Sequence, residues 1–361
     1  MIISSLELRD FRSYERLELA VPPGISVVVG DNGAGKTNLL EAIYAGSVSR
    51  SCRTNVETRM IRFGSDTARV ELEGAQDGHA HSLAVGISRK QPKSLQVDGV
   101  AVASFEDIAT RPLVAVFMPD RLELVKGAPG LRRAHFDQVI AALWPARRET
   151  RKRYAATLAQ RNALIARGVA DAPALDNWDI ELARSGHQLA LDRMQLVETL
   201  SASLATAAAA IGLDGDLGLR YRPSIEASDQ DDFYAQIVDR RSADAQRGFT
   251  MAGPHRDEFV MRLGKLDLRL YGSQGQQRAS LLSLLLAECM ALAEFQERTP
   301  LVLLDDVMSE LDGLRRESLL QHVATLAQCV VTTTDLAHVP DLGVIDAAFA
   351  VQDGSVLPIS G

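Results

Sequence analysis

Gly30-Asp31-Asn32-Gly33-Ala34-Gly35-Lys36-Thr37 satisfies the pattern Gly-x-x-x-x-Gly-Lys-Ser/Thr at every defined position. The five residues before it, Ile25-Ser26-Val27-Val28-Val29, read as a buried strand, and Leu39, Leu40, Ile43 and Tyr44 after it recur at helical spacing. A strand running through a glycine-rich loop into a helix is an arrangement that holds phosphates. The glycines let backbone N–H groups turn inward, and the helix N-terminus adds its positive dipole. Gly30, Asp31, Asn32, Gly33, Ala34, Gly35, Lys36, Thr37 and Asn38 are therefore candidate nucleotide ligands. Lys36 is placed to reach the β- and γ-phosphates and Thr37 to hold Mg²⁺. A chance glycine-rich turn would lack the flanking strand and helix.

Outward from the loop, 361 residues give room for one large core or two modest domains. No apolar run approaches the length of a membrane span. The start, Met1-Ile2-Ile3-Ser4-Ser5-Leu6-Glu7-Leu8-Arg9-Asp10-Phe11, alternates charged and apolar residues, unlike a secretory signal. Cys52, Cys289 and Cys329 are odd in number and far apart, which argues against a disulfide framework and for a reducing cytoplasm. His79 and His81 lie in a Gly/Asp/Gln stretch that reads as a solvated hairpin turn, without metal spacing.

The formal net charge of -8 argues against an overall nucleic-acid coat, but the cations are unevenly spread. Between Arg121 and Arg167 lie Lys126, Arg132, Arg133, Arg147, Arg148, Arg151, Lys152, Arg153 and Arg161, with few acids among them. A helix with this composition suits either a phosphate backbone or an ordinary solvated face.

In chain order, residues 2–11 and 15–29 read as strands joined at Arg12-Ser13-Tyr14 and interrupted by Pro22-Pro23-Gly24. Ser47 to Thr54, with Arg50 and Arg53, is a polar segment able to close over a nucleotide or to serve as a plain surface loop. Short alternating runs at 68–73, 82–89 and 94–102 predict an antiparallel β layer. Leu113 to Met118 predicts a buried strand. From Leu131 to Leu213 the pattern becomes helical, broken once at Gly168 to Pro173, which predicts an antiparallel helical hairpin. Leu158, Leu164, Ile165, Leu182, Leu189, Met194 and Leu196 are its expected core. The acidic stretch Asp214 to Asp244 is expected to return the chain to the first domain. The resulting division is 1–125, a nucleotide-binding head; 126–246, an inserted helical lobe; and 247–361, the rest of the head.

Two motifs near the C-terminus complete the site. Leu301-Val302-Leu303-Leu304-Asp305-Asp306 is an apolar strand ending in paired acids, which places both at the sheet edge where the phosphate loop lies. Asp305 suits Mg²⁺, and Asp306 suits orienting or deprotonating the attacking water, with Lys36 as the other catalytic candidate. Ahead of them, Gly272-Ser273-Gln274-Gly275-Gln276-Gln277-Arg278 opens the apolar helix Leu281 to Met290, with Ser273 as N-cap. The N–H groups of that helix suit an anion, and a capped helix with no ligand would read the same. Val330 to Asp335 is one more buried strand with a polar end.

This order of motifs resembles ABC-type ATPases. The more than 200 residues between the halves of the site, and Asn32 in the loop, resemble the SMC and Rad50 heads within that class. Phe11-Arg12-Ser13-Tyr14, Glu41-Ala42-Ile43, Arg132 to Asp137, Gln160 to Leu164, Gly253-Pro254-His255-Arg256-Asp257 and Ser273 to Arg278 further resemble the RecF family of bacterial recombination proteins over nearly the whole chain. The resemblance implies an α/β head with mixed and parallel sheet, flanking helices, an antiparallel β layer and an inserted helical lobe. It implies a weak, DNA-stimulated ATPase that binds ATP and Mg²⁺. Ser273, Gly275 and Gln276 of one copy would complete the pocket of another, so that ATP joins a homodimer on duplex, gapped or junction DNA. RecR and RecO are the implied partners and RecA loading the implied outcome, in the cytoplasm and without a membrane. Arg132, Arg133 and Arg153 become the implied DNA contacts.

The sequence departs from the wider class in places. Thr334 stands where transporter ATPases carry a switch histidine, and Asp306 where many ABC proteins carry glutamate. Cys52 and Leu285 replace a common Phe and Lys of the family. A transporter subunit, another SMC-like head and a scaffold that never hydrolyses its nucleotide are the alternatives at this stage.

Overall fold

Residues 2–11 alternate apolar and polar, and in the computed structural model they form β1 (Ile2–Phe11), which folds back as β2 (Tyr14–Ala20). Ile3 and Leu6, three apart, both lie inside because the pairing slips between Ile3 and Ser5. The chain continues through β3 (Ile25–Val29), α1 (Lys36–Val48), β4 (Thr67–Gln76), β5 (His79–Ser88), β6 (Ser94–Val97), β7 (Val100–Ala101) and β8 (Val114–Phe117). A helix-rich stretch follows: α2 (Glu123–Lys126), α3 (Pro129–Leu143), α4 (Arg148–Ala166), α5 (Ala172–Ala210), then β9 (Leu217–Arg222), α6 (Gln230–Asp239) and α7 (Arg241–Arg247). The remainder holds β10 (Glu258–Leu263), β11 (Leu266–Asp267), α8 (Leu268–Tyr271), α9 (Gln274–Gln296), β12 (Leu301–Asp305), α10 (Gly313–Leu326), β13 (Gln328–Thr333), β14 (Ile345–Gln352) and β15 (Ser355–Pro358). The structure describes residues 1–361 apart from 107, 169–171, 341–342, 353 and 360–361. The expected break at Gly168 to Pro173 thus lies partly outside the described residues.

The chain divides into two units, Met1–Arg121 with Ala207–Leu213 and Leu282–Gly361, and Leu122–Thr206 with Asp214–Leu281. The first contains two sheets. One is antiparallel in the order β2-β1-β4-β5-β6-β7, the predicted β layer. The turn between β4 and β5 is Asp77-Gly78, both at positive φ, as a two-residue hairpin requires. His79 and His81 therefore stand on strand β5 rather than in the turn, and His81 Nδ1 lies 2.9 Å from Asp98 Oδ2. The second sheet, β15-β14-β3-β13-β12-β8, is parallel except for β15. Its central strands β12 and β13 are buried along their whole length because both faces are covered, with Gln328 and Thr332 as buried polar members that are hydrogen-bonded. Gln328 links the two sheets: its amide accepts from Ile3 N at 2.9 Å and donates to Ile3 O and Pro22 O at 2.7 and 2.8 Å. Contrary to expectation, α9 is long and apolar enough to cross a bilayer by length and composition. Of its most apolar stretch, 72% is buried within the protein, which marks a core helix.

The second unit is built on α4 and α5, whose Tyr154, Leu182, Ala183 and Leu189 pack with Ile225, Phe233 and Ile237. Gly186 has no side chain because a Cβ there would lie 3.1 Å from both Phe233 and Tyr154. Leu158 and Leu164 are half-buried, and Met194, expected in the core, is exposed. Trp144-Pro145 adds a break before α4 that periodicity does not reveal; proline removes an N–H and starts a new turn there. The stretch 214–244 does not return the chain to the first unit but builds β9, α6 and most of α7 in the second. Residues 247–281, read from sequence as head, also pack in the second unit, because β10 pairs with β9 and Phe259 lies 4.3 Å from Phe136, centroid to centroid.

This unit's interior is ionic as well as apolar. Arg161 is fully buried and donates to Asp179 Oδ1 at 2.5 Å, Asp244 Oδ2 at 2.6 Å and Thr250 Oγ1 at 2.8 Å. Arg193 forks onto both oxygens of Asp137 at 2.9 and 3.0 Å and reaches Asp257, which also accepts from the Tyr221 hydroxyl. His255 meets the Tyr154 hydroxyl at 2.7 Å, and burial lowers its pKa. The Gly253-to-Asp257 segment is thus internal framework of this unit.

Candidate nucleotide site

The glycines of the loop are set by what surrounds them. Gly35, the N-cap of α1, has φ of 119°, and a Cβ there would come within 3.0 Å of Ser13 Oγ and Tyr14 Oη. The Tyr14 hydroxyl donates to Gly35 O at 3.0 Å, so the turn after β1 wraps the loop; burial raises the pKa of this phenol and keeps it a donor. Gly30 passes so close to the next strand that a Cβ would meet Val351 O at 2.6 Å. Inside the loop, Lys36 Nζ donates to the carbonyls of Gly30 and Asp31 at 2.6 and 2.9 Å.

The paired acids emerge at the end of β12 beside the loop. Thr37 Oγ1 donates to Asp305 at 2.9 and 3.1 Å, and Thr332 Oγ1 donates to Asp305 Oδ1 at 2.7 Å. An alcohol and a carboxylate, both ligands for hard divalent cations, thus meet at one point. Asp306 has φ of 51°, with its backbone N–H directed to Thr332. Its Oδ1 is buried without a hydrogen-bond partner among the described residues. Asn32, Gly33, Gly35, Lys36, Thr37, Asn38, Arg53, Asp305 and Asp306 line a cavity of about 340 Å³. Gly30, Asp31 and Ala34 shape the loop behind it.

Arg53, in the segment able to close over a nucleotide, lines that cavity. Its Nη1 donates to Asn38 Oδ1 at 3.1 Å and lies 3.5 Å from Glu41 Oε2. Glu41, part of the resembling segment but assigned no role by it, is fully buried on α1. It accepts a two-pronged bond from Arg12 at 2.7 and 2.8 Å and one from Ser51 Oγ at 2.5 Å. Ser51 Oγ in turn accepts the N–H groups of Arg53 and Thr54. Arg12 satisfies the carboxylate, so Arg53 is anchored by its backbone while its guanidinium faces the cavity. The signal available in sequence was an acid on the buried face of an otherwise apolar helix. Cys52 next door is inert, its thiol pushed up to about 12 chiefly by burial and then by Glu41. Glu41→Gln leaves Arg12 with one acceptor in place of two, and is expected to cost about 1–3 kcal/mol in urea unfolding. An unchanged midpoint would show that the clamp contributes nothing to stability.

The remaining predicted residues lie in the other unit. Ser273 Oγ accepts from Gln276 N at 3.2 Å, and Gln276 Oε1 accepts from Ser273 N at 2.9 Å. This is a reciprocal cap at the start of α9, with open space beside Gly275. Arg132 is not available to DNA: it is 2% exposed and binds Glu258 Oε1 and Gly127 O, both at 2.9 Å. Arg133 is partly buried and donates to Asp257 O at 2.7 Å, with its pKa lowered by burial and by Arg193. Arg153 is exposed, 3.6 Å from Glu181.

A phosphate loop fed by a parallel strand, with acids at the end of a neighbouring strand and a helical unit inserted in the chain, defines an ATPase head of the SMC class. The fold agrees with the Smc head of Pyrococcus furiosus, at a TM-score of 0.57 and 16% identity over 99% of this chain and 96% of that one. The chain belongs to the RecF family. A family model described as RecF/RecN/SMC N terminal domain matches residues 2–355. The DNA replication and repair protein RecF of Anaeromyxobacter dehalogenans is 36% identical over 99% of this chain and 100% of its own, and that of Lachnospira eligens 31% identical over 99% of each. A solved structure of the recombination mediator protein RecF with ATP, in the RecFOR pathway, superposes with a TM-score of 0.89 at 27% identity, covering 99% of this chain and 98% of that one.

Proposed function

We propose that this protein is a recombinational-repair ATPase of the cytoplasm that dimerises on ATP around gapped or junction DNA and acts with RecR and RecO to promote RecA loading. The observation that carries the reading is the cavity where Lys36, Thr37, Asp305 and the unpartnered Asp306 Oδ1 converge. Its residues fit the ligand: a cation and loop N–H groups for phosphates, an alcohol and carboxylate for Mg²⁺, and a free carboxylate oxygen beside them.

On ATP binding Lys36 exchanges the carbonyls of Gly30 and Asp31 for phosphate oxygens. Thr37 and Asp305 would hold Mg²⁺, whose positive charge would offset that of the phosphates. Asp306 accepts the proton of the attacking water. Ser273, Gly275 and Gln276 of a second copy complete the pocket, and slow, DNA-stimulated hydrolysis opens the pair. Sedimentation with and without ATP tests this: a dimer is expected only with ATP, and a monomer at saturating nucleotide overturns it. Arg153, which is exposed, is a better DNA contact than the buried Arg132.

A further inference from the structure

Phe63 is the most exposed of the large apolar side chains described, at 98%. It stands at the corner of a tight turn, Arg62-Phe63-Gly64-Ser65, closed by Ser65 N donating to Arg62 O at 3.1 Å, with Gly64 at φ of 87°. Only glycine meets that backbone angle without strain.

The turn is firmly anchored. Ile61 bridges to Phe11, Arg62 N donates to Asp10 O at 2.8 Å, and Arg12 N donates to Met60 O at 2.8 Å. Asp10 Oδ1 then accepts both Arg62 Nε at 2.7 Å and Ser65 Oγ at 2.8 Å, bonds that hold its pKa low. Arg89 Nε donates to Ser65 O at 3.1 Å from the neighbouring hairpin. A bare ring on a fixed support exposes apolar surface to water with no gain inside the protein.

The surroundings select the partner. The residues bonded to the turn are polar: Asp10 and Glu15 to Arg62, Arg89 to Ser65, and Lys90 to the adjoining Asp66, whereas the core of a protein interface is apolar. A nucleobase needs only one flat face. The cations are also balanced: Arg62 lies 2.7 Å from Asp10 and 3.3 Å from Glu15, and Lys90 lies 2.6 Å from Asp66. The turn thus adds a π face more than it adds charge.

We propose that Phe63 stacks on an unpaired base of gapped DNA, giving this protein a contact that distinguishes an interrupted duplex from a continuous one. The inference rests on the DNA-binding reading above. Bases in intact duplex are stacked on each other and offer the ring nothing.

The test uses the full chain with ATP and two labelled DNAs of equal length, one fully paired and one gapped. Phe63→Ala is expected to weaken binding to gapped DNA by about 5- to 100-fold and to leave fully paired DNA within about twofold. The slope of affinity against salt is expected to stay the same, since no phosphate contact is lost. Phe63→Trp is expected to retain gap preference and Phe63→Leu to lose it. Equal binding of Phe63→Ala and the parent to both DNAs overturns the proposal. Full gap preference in Phe63→Leu also overturns it, in favour of a generic apolar contact with the DNA that needs no aromatic face. If the parent binds neither DNA, the DNA-binding reading itself fails.

Discussion

Asp306→Asn is expected to lower ATP turnover by about 100- to 1000-fold while leaving ATP affinity within about twofold. Asparagine is the informative replacement because the backbone at this position has φ of 51°, a left-handed conformation that Asn adopts more readily than most residues. The N–H bonds to Thr332 survive the change, and so does the side-chain volume. What disappears is a basic oxygen, and Oδ1 is the one atom of the site that is buried with no partner among the described residues. Asp305 behaves differently, since its carboxylate is already occupied by Thr37 and Thr332. Phosphate release measured beside equilibrium ATP binding separates the two effects. Normal turnover in the variant would remove Asp306 from the chemistry.

Arg161→Met is expected to destabilise the protein by about 3–5 kcal/mol. The side chain has no solvent exposure, and two carboxylates, Asp179 and Asp244, converge on it. Methionine fills much of the volume but leaves both acids buried beside each other. Arg241 still neutralises Asp179 at 2.6 Å, which leaves Asp244 as the uncompensated charge. Urea unfolding followed at neutral pH reads the loss directly. A change under about 0.5 kcal/mol would mean that the ion cluster is replaceable by apolar packing, as some buried clusters are.

These two sites differ in how far the sequence exposes them. The loop from Gly30 to Thr37 and the acids after Leu304 are legible because their geometry is local: a parallel strand delivers whatever follows it to the same sheet edge. The cap between Ser273 and Gln276 is equally local, spanning one helical turn. Arg132 and Arg161 are not legible, because a basic helix face looks the same paired or unpaired and the acids that meet them, Glu258, Asp179 and Asp244, lie on other elements. Glu41 carries a partial signal, an acid on the buried face of a largely apolar helix, but its partners Arg12 and Ser51 lie outside that helix and spacing does not pair them. The unit boundary was misplaced for a related reason. Residues 247–281 are richer in Gly and poorer in Ala than the helical lobe, and the pairing of β10 with β9 is what assigns them to its unit.

The position of β3 between β13 and β14 governs how the molecule comes into being. The strand that carries the phosphate loop is made long before either of its neighbours. At about 5–20 residues per second of synthesis, roughly a quarter of a minute to a minute passes before they exist. Throughout that interval Ile25–Val29 lacks both of its strand partners. The hairpin of β1 and β2 needs no such wait, since its partners are adjacent in sequence. The parallel sheet that carries the phosphate loop therefore closes around β3 only after synthesis has passed β13 and β14.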